Sequence, residues 1–474
     1  MCFLITGGIM ILRLKVYFFA ALASMLFSIS QAYAEATYEV KDVSEGMFWV
    51  KYKFVNNQSN TFGRSYYYSF LFDKTGRFVK TPQISFAHDF KEGLAVVKVG
   101  DKYGYINKEG RLVIQPKFYT ANNYSEGLAA FMYGDDSKFG FIDKKGNVVI
   151  QPQFWEVQEF HEGLAAVKVG EDKYSSKWGF IDKSGKMIAR PIFDDPGYGY
   201  SEGLAVVRFE KVWGALDKQG NVAIDFRFDH SIGGFHEGQA PVCIKVMNVA
   251  KCGYINTSGE MVIRPQFDGA EIFSDGLAVV YSNEKLGVID KSGNTIVPIK
   301  FKSLGYNPPA YHSGMITFLF EDGITYARGY LDTSGNVINQ GNFMWAAGDF
   351  YEGMARVFIS ESQQGFINQQ GEWVITPDSL HTTMIKLMDS ANAIFLKRIA
   401  EENAVRQKEI DTFRKALIEG DDTNCGPAIE VKEKMVKVAY ALSGYGNEHW
   451  IKRDQIFPKK YNCEFKNGQY IAPN

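Results

Sequence analysis

The amino-acid sequence repeats itself, and that periodicity limits its possible folds more than any other feature. Glu162-Gly-Leu-Ala-Ala-Val-Lys168, then Lys177-Trp-Gly-Phe-Ile-Asp-Lys-Ser-Gly185, then a run ending in Pro191-Ile-Phe193 make a unit that returns with different fillings. Its acidic-Gly step recurs at Glu45-Gly46, Glu92-Gly93, Glu126-Gly127, Glu202-Gly203, Glu237-Gly238, Asp275-Gly276 and Glu352-Gly353, and weakly as Ser313-Gly314. From Gly93 onward successive glycines are 34, 36, 40, 35, 38, 38 and 39 residues apart. A period of this size marks a stacked array in which no unit buries its apolar face alone.

Each copy carries three strand signals: an apolar run such as Leu94–Val99, an aromatic-Gly segment such as Tyr103-Gly104, and a run such as Leu112–Phe118. β-Branched and aromatic residues in short runs bounded by Gly, Asn and Pro are strand chemistry. A short fourth strand fits between Phe154 and Phe160. With 46 glycines in 474 residues and 15% aromatics, the composition favours short strands and tight turns over helices.

Between the second and third strands lies the most regular feature. Asp73, Asn107, Asp143, Asp182, Asp217, Asn256, Asp290, Asp332 and Asn368 are each followed three residues later by Gly. Asp or Asn opening a type I turn, with a left-handed Gly closing a G1 bulge, accounts for this spacing. A calcium loop is the functional rival, but Asn substitutes freely and the other ligands of such a loop are missing. The aromatic and the glycine after it (Gly104, Gly140, Gly179, Gly214 and their counterparts) read as packing between repeats, with a ligand platform as the rival. The acidic residues have two readings. One is a hydrogen bond to the neighbouring copy's backbone. The other is a binding rim for cations or a basic partner, formed by Glu92, Glu126, Glu162, Glu202, Glu237, Asp275 and Glu352.

The first 34 residues read as an export signal. Arg13 and Lys15 precede an apolar run from Val16 to Ile29, and Ala32-Tyr33-Ala34 offers a cleavage pattern before Glu35. Cleavage leaves Cys243, Cys252, Cys425 and Cys463, an even count that favours disulfides in an exported protein. Cys243 and Cys252 fall in the first and second strands of one copy, and Cys425 and Cys463 at opposite ends of a small C-terminal region, so the expected pairs are 243–252 and 425–463. A net charge of −2 without a basic segment argues against nucleic acid. After the leader no stretch is long and apolar enough to span a bilayer.

The block Phe160-His-Glu-Gly-Leu-Ala-Ala-Val167 followed by Lys177-Trp178-Gly179-Phe-Ile-Asp-Lys-Ser-Gly185 resembles the WG (KWG) repeat of bacterial proteins, over roughly residues 40–378. That resemblance implies an all-β array in exported or envelope proteins with a binding role, and it transfers no catalytic residue. The expected fold is a β-propeller of eight or nine small blades over 35–378, with an open β-solenoid as the alternative. A helical linker over 379–419 follows, because Met384, Met388, Ala391, Phe395 and Ile399 fall near a 3.6-residue period and Gly420 stops it. Residues 420–474 give a small mainly-β, SH3-like domain, with strands at Ala428–Val431, Met435–Tyr440, Trp450-Ile451 and Gln455–Pro458.

No HExxH, GxSxG, phosphate-binding loop or dinucleotide fingerprint is present. His161 and His236 hold a place that other copies fill with Lys, Ser or Tyr, which points to a solvent-facing position. The inserts Gly197–Tyr200 and Asn307–Pro309 are candidate recognition loops. The functional expectation is a non-catalytic, cofactor-free binding or scaffold protein, periplasmic or secreted, whose partner is another envelope or extracellular protein. The alternative is a cell-wall or glycan hydrolase with an unrecognised carboxylate pair.

Overall fold

The computed structural model describes residues 38–55, 65–135, 138–230, 232–246, 249–302, 314–321, 326–334, 336–338, 348–360, 363–440, 447–459, 461, 463–466 and 469–471. The leader (1–34), Asn307–Pro309, His312, Ser313 and Gly335 lie outside these residues. The described chain forms two compact units, one of residues 38–53 and 66–384 and the other of residues 385–471 together with 54, 55 and 65.

In the first unit the repeats form small antiparallel sheets. In the second copy the short strand Phe86–Ala87 is followed by Leu94–Val99, Lys102–Asn107 and Leu112–Phe118, paired in that order. Thr120–Ala121, Tyr200–Ser201, Gly269–Ala270 and Phe350–Tyr351 are the same short strand in other copies, and single bridges at Val157 and Ile232 replace it in two. The seventh and eighth copies share one sheet through the pair Lys302↔Leu319.

The first long strand is buried on both faces: Leu94, Ala95, Val96 and Val97 are all inside. Its alternate residues face different neighbours, which explains the unbroken apolar run. Ala95 and Val97 pack with Met47, Trp49 and Leu71 of the first copy, whereas Leu94 and Val96 pack with Ala129, Phe131 and Ile142 of the third. The same two-copy cores follow in turn through the eighth and ninth copies. The third long strand alternates instead, with Ile114 and Phe118 buried and Val113, Gln115 and Lys117 exposed. Pro116, Pro152, Pro191 and Pro265 sit in these strands, where a missing N–H blunts a sheet edge.

The glycine of the aromatic-Gly step works within one copy, which corrects the inter-repeat reading. Tyr103 pairs with Phe118 and Tyr105 with Ile114, so the third strand carries two extra residues opposite Gly104. A Cβ on Gly104 would lie 2.5 Å from the Ile114 carbonyl oxygen and 2.8 Å from the Pro116 nitrogen, and Gly140 meets the same obstruction. The adjacent ring does face the next copy: Trp178 and Trp213 lie half-buried at two-copy cores.

The Asp-x-x-Gly element is the expected turn. Asp143 Oδ1 accepts from Lys145 N at 2.9 Å and Asn147 N at 2.8 Å, and Gly146 has φ +82°. The acidic-Gly step forms a second turn that the sequence reading missed. Glu92 (φ +54°) and Gly93 (φ +84°) are both left-handed, and Lys91 and Leu94 exchange backbone bonds of 2.9 and 3.2 Å. This is a two-residue type I′ hairpin between the short strand and the first long strand.

The ninth copy packs against the first. Phe48 and Phe366 place ring centroids 4.8 Å apart. Gln364, 2% exposed, stands where Trp178 stands in its own copy; it accepts from Val40 N at 3.0 Å and donates to Tyr38 O at 2.7 Å. Arg356 donates to Asp42 at 3.0 Å and also bonds the Val40 carbonyl.

Helix α1 spans Pro377–Ala416. It begins two residues before the expected Ser379, since a proline is tolerated in a first turn. It ends four residues before Gly420. The Arg453 guanidinium, not a closing glycine, takes the late carbonyls, donating to Arg414 O at 2.9 Å and Leu417 O at 3.2 Å. In the second unit Asp422–Thr423, Gly426–Val431, Met435–Tyr440 and Asn447–Lys452 form one antiparallel sheet. Its core joins Leu417, Ala428, Val436, Val438, Ile451 and Ile456. The expected strand at Gln455–Pro458 is replaced by a 3-10 turn, Arg453–Gln455, and an extended stretch that buries Ile456 and Phe457.

Candidate functional site: a carboxylate seam and an aromatic end

Every rim carboxylate named from the sequence reaches the next copy. Glu92 accepts from Gly127 N at 3.0 Å, Glu126 from Gly163 N at 2.9 Å, Glu162 from Gly203 N at 2.9 Å and Glu202 from Gly238 N at 2.8 Å. Glu237 accepts from Gly276 N at 3.1 Å and Asp275 from Gly314 N at 2.8 Å. Glu45 bonds Gly93 N, and Glu352 bonds Gly46 N, each at 2.8 Å. In every copy but the eighth, whose preceding residue lies outside the described residues, the donor is the inner amide of a type I′ turn. Glu is an unusual residue at positive φ, and here its side chain carries the acceptor to the next turn.

A lysine from the next copy's Asp-x-x-Gly turn completes most of these contacts. Lys108 pairs with Glu45 at 3.0 Å, Lys144 with Glu92 at 3.0 Å, Lys183 with Glu126 at 2.9 Å and Lys218 with Glu162 at 3.0 Å. Partial burial pushes the Glu45, Glu126 and Glu162 carboxyls up, but the lysine bond and the glycine amide outweigh it and hold them below their ordinary 4.5. Glu202 has no such lysine, because Thr257 follows Asn256 in the next turn. The geometry therefore places these acids in the seam between copies.

The residue before the Glu stays at the surface where it is His161 or His236, as expected, but in three copies it is a serine that joins the seam. Ser44, Ser125 and Ser201 donate to the Phe90, Phe160 and Phe235 carbonyls at 2.7, 2.6 and 2.5 Å. His161 and His236 occupy the same place and are exposed. Within Gly197–Tyr200 the rings diverge. Tyr198 is 78% exposed, while Tyr200 is buried and donates to Asp217 O at 2.8 Å.

Asp89 is the carboxyl most relevant to acid–base chemistry near another acid. Partial burial and the Asp42 charge push it up. Asp42 is held by Arg356 and Asp89 remains solvent-accessible, so the two do not make a sheltered acid pair. Among the described residues no group of three or more His, Cys, Asp or Glu is placed to hold a metal ion. Cys243 is bonded to Cys252 and Cys425 to Cys463. Cys243 and Cys252 are direct cross-strand partners, so their Cα atoms lie 3.9 Å apart, closer than the usual bridge spacing.

At the other end of the sheets the copies differ, and sequence reasoning missed this difference. In the fourth copy Lys177 opens the second long strand and pairs with Asp194, which follows the third. The sixth copy repeats the pair as Lys251–Asp268 at 2.6 Å. In the third copy the acid is Trp155, and Lys138 lies 4.5 Å from its ring centroid. Beside it Tyr133 packs edge-on against Phe131, and Tyr119 joins through its backbone N–H to Met132 O at 2.8 Å. Tyr119 is 40% and Tyr133 49% exposed. Trp155 Nε1 donates to Gly170 O at 3.1 Å, at the start of a loop whose Tyr174 is 94% exposed. Tyr119 and Trp155 standing where Asp194, Asp229 and Asp268 follow the same Phe is the signal that aligning the copies would have given.

The chain is similar to several solved structures. BamB from Moraxella catarrhalis is 10% identical, with 61% of this chain and 87% of that chain covered and a TM-score of 0.33. The β-propeller domain of the Trilobed protease from Pyrococcus furiosus is 11% identical, with 65% and 99% covered and a TM-score of 0.31. A putative TolB from Agrobacterium tumefaciens is 10% identical, with 40% and 83% covered and a TM-score of 0.24. Likenesses this distant carry no function across. No curated protein matches the sequence. The model of the WG-containing repeat matches nine segments, 70–103, 103–135, 139–174, 178–212, 213–245, 253–285, 287–307, 329–360 and 365–378. Those segments make up more than half of the sequence, and the chain belongs to the WG-containing repeat family.

Proposed function

We propose that this protein is a non-catalytic, exported binding scaffold whose repeats close into a nine-bladed propeller. Closure is supported by the return of the contact series: Glu352 reaches Gly46, and Gln364 and Arg356 hold the strand Tyr38–Val40. An open solenoid would leave the first and ninth copies apart. Export is supported by the leader sequence, which lies outside the described residues, and by two disulfides. Among the described residues no helix is long and apolar enough to cross a membrane.

The single observation carrying the binding role is the aromatic end of the third and fourth copies. Repeats supply their own control: where two copies neutralise this corner with a Lys–Asp pair, the third presents the half-buried Trp155 over Lys138. Its ring N–H is bonded to Gly170 at the start of the loop that carries the exposed Tyr174, and Tyr119 and Tyr133 are exposed on strands joined by the Tyr119–Met132 bond. Exposed aromatic side chains on neighbouring copies favour a contact surface over a plain solvent face. The partner proposed is another envelope or extracellular protein. The test is cross-linking capture from envelope extracts with the native protein and with Tyr133→Ser/Trp155→Asp/Tyr174→Ser. Loss of one saturable partner in the variant, with melting unchanged, supports the reading. An identical captured set contradicts it.

A further inference from the structure

The second unit holds a cavity of about 1040 Å³ between the end of helix α1 and the hairpin of Met435–Tyr440 and Asn447–Lys452. Five cations line it: Arg414, Lys415, Lys434, Lys452 and Arg453. Three acids, Asp411, Glu433 and Asp454, stand among them, giving five minus three, or a net +2. Three other lysines of this unit's sheet region are paired with carboxylates nearby. Lys432 pairs with Glu430 at 2.9 Å, Lys459 with Asp422 at 2.8 Å, and Lys437 with Glu448. Among the described residues no carboxylate pairs with the five cations that face the cavity.

The two arginines differ in what they have left to offer. Arg453 directs its donors at the carbonyls of Arg414, Lys415, Leu417 and Lys432, and so serves the helix end. Arg414 donates through Nε to Ile456 O at 2.8 Å, and its guanidinium carbon lies 4.8 Å from the Phe457 ring centroid. One bond and one ring therefore fix its plane, and among the described residues no hydrogen bond engages its two Nη groups. A fixed guanidinium fork matches a carboxylate's two oxygens.

We propose that this cavity receives an acidic peptide segment of a partner protein, with Arg414 gripping one carboxylate and Lys415, Lys434 and Lys452 supplying the surrounding positive field. The interspersed acids decide against a continuous polyanion or an anionic membrane surface, since each would meet repulsion at Asp411, Glu433 and Asp454. A peptide places its carboxylates at intervals and brings apolar side chains to Met435 on the lining. The volume also exceeds what a single small anion fills.

The test uses the full mature protein and a fluorescent ten-residue peptide of alternating Ser and Glu, followed by anisotropy at 50 mM and 200 mM salt (about a fourfold step in screening ions). Saturable binding is expected, weakened at least about tenfold by Lys434→Glu/Lys452→Glu and by the higher salt. Those lysines are exposed, so the double variant should keep the native circular dichroism and melting. Arg414→Lys, which keeps the charge but loses the fork, should weaken binding by a smaller factor. No saturable binding, or an affinity unchanged in the double variant, overturns the proposal. Displacement of the peptide by equimolar tripolyphosphate, or tighter binding to phosphatidylglycerol vesicles, also overturns it by assigning the cavity to another anion. Either failure leaves the aromatic end of the repeat unit untouched, because its variants are read separately.

Discussion

The junctions inside the repeat unit and the junction between its ninth and first copies do the same job with different chemistry. Inside, Glu126 reaches Gly163 and Lys183, and Trp178 or Trp213 leans on the next copy. At the ninth-to-first junction Glu352 still reaches Gly46, but the tryptophan position becomes Gln364. Its amide pairs with the backbone of Tyr38–Val40 much as a neighbouring strand would. Interior neighbours are also joined by the chain itself, whereas the ninth and first copies meet through contacts alone, and there a repeat position becomes a buried polar clip.

The largest effect should be one that both regions share. Gly140 and Gly365 face the third-strand backbone of their own copies, with a carbonyl oxygen 2.5 and 2.4 Å from an added Cβ. Gly140→Ala and Gly365→Ala should each cost several kcal/mol, about 3 or more, because the obstruction is backbone. Denaturant melts that separate the two by more than about 1 kcal/mol would show that the close approach of the third-strand carbonyl is not what these glycines serve.

The next effect should separate the regions. Gln364→Leu leaves Val40 N–H and Tyr38 C=O without their side-chain partner and should cost about 2–3 kcal/mol. Trp178→Leu, on a half-buried interior ring, should cost less, about 1–2 kcal/mol. Equal losses would erase the distinction between the closing and interior junctions.

The seam itself offers a smaller, pH-dependent test. Glu126→Ala should cost about 1–2 kcal/mol at neutral pH. Glu202→Ala should cost less, lacking a lysine partner. Because the Glu126 carboxyl lies below its unfolded value of 4.5 in the folded protein, its contribution is fully present above that value. It is lost as the pH falls through the folded value. Glu126→Gln should therefore flatten the decline in stability below about pH 4.5, by a fraction of a kcal/mol for so exposed a group. A decline identical to the native protein's would remove Glu126 from the acid response.

The smallest difference lies in the turns. Gly146→Val should cost more than Asp143→Ala, because a β-branched residue at φ +82° is strained while the lost side-chain bonds cost about 1 kcal/mol. Equal melting temperatures would contradict the G1-bulge geometry.

The Asp-x-x-Gly turns and the three long strands were legible because both are local. An Asx acceptor and a left-handed glycine leave their mark within four residues. The type I′ hairpin was not legible, since Glu-Gly is a poor statistical I′ pair and Glu162 is explained only by an amide in the next copy, at Gly203. The role of Gly104 was hidden for a related reason: a two-residue bulge opposite it is a matter of register. The role of Gln364 was out of reach because its partners Val40 and Tyr38 lie 324 and 326 residues away in sequence. The aromatic end went unread because the copies were aligned for what they share. Helix α1 was visible in its period, but its end depends on Arg453, 39 residues beyond Arg414.

The most direct test of closure is a distance between the first and ninth copies. Spin labels at Lys74→Cys and Gln370→Cys, both exposed turn positions, can be placed in the chain from Glu35 onward, whose four cysteines are paired. In a closed ring these turns belong to adjacent copies, and the pulsed dipolar distance should fall at the short end of the measurable range. In an open array eight steps of about 10 Å would separate them by about 80 Å. A narrow short distance is the expected result, and a long or broad one would contradict the closed nine-copy ring.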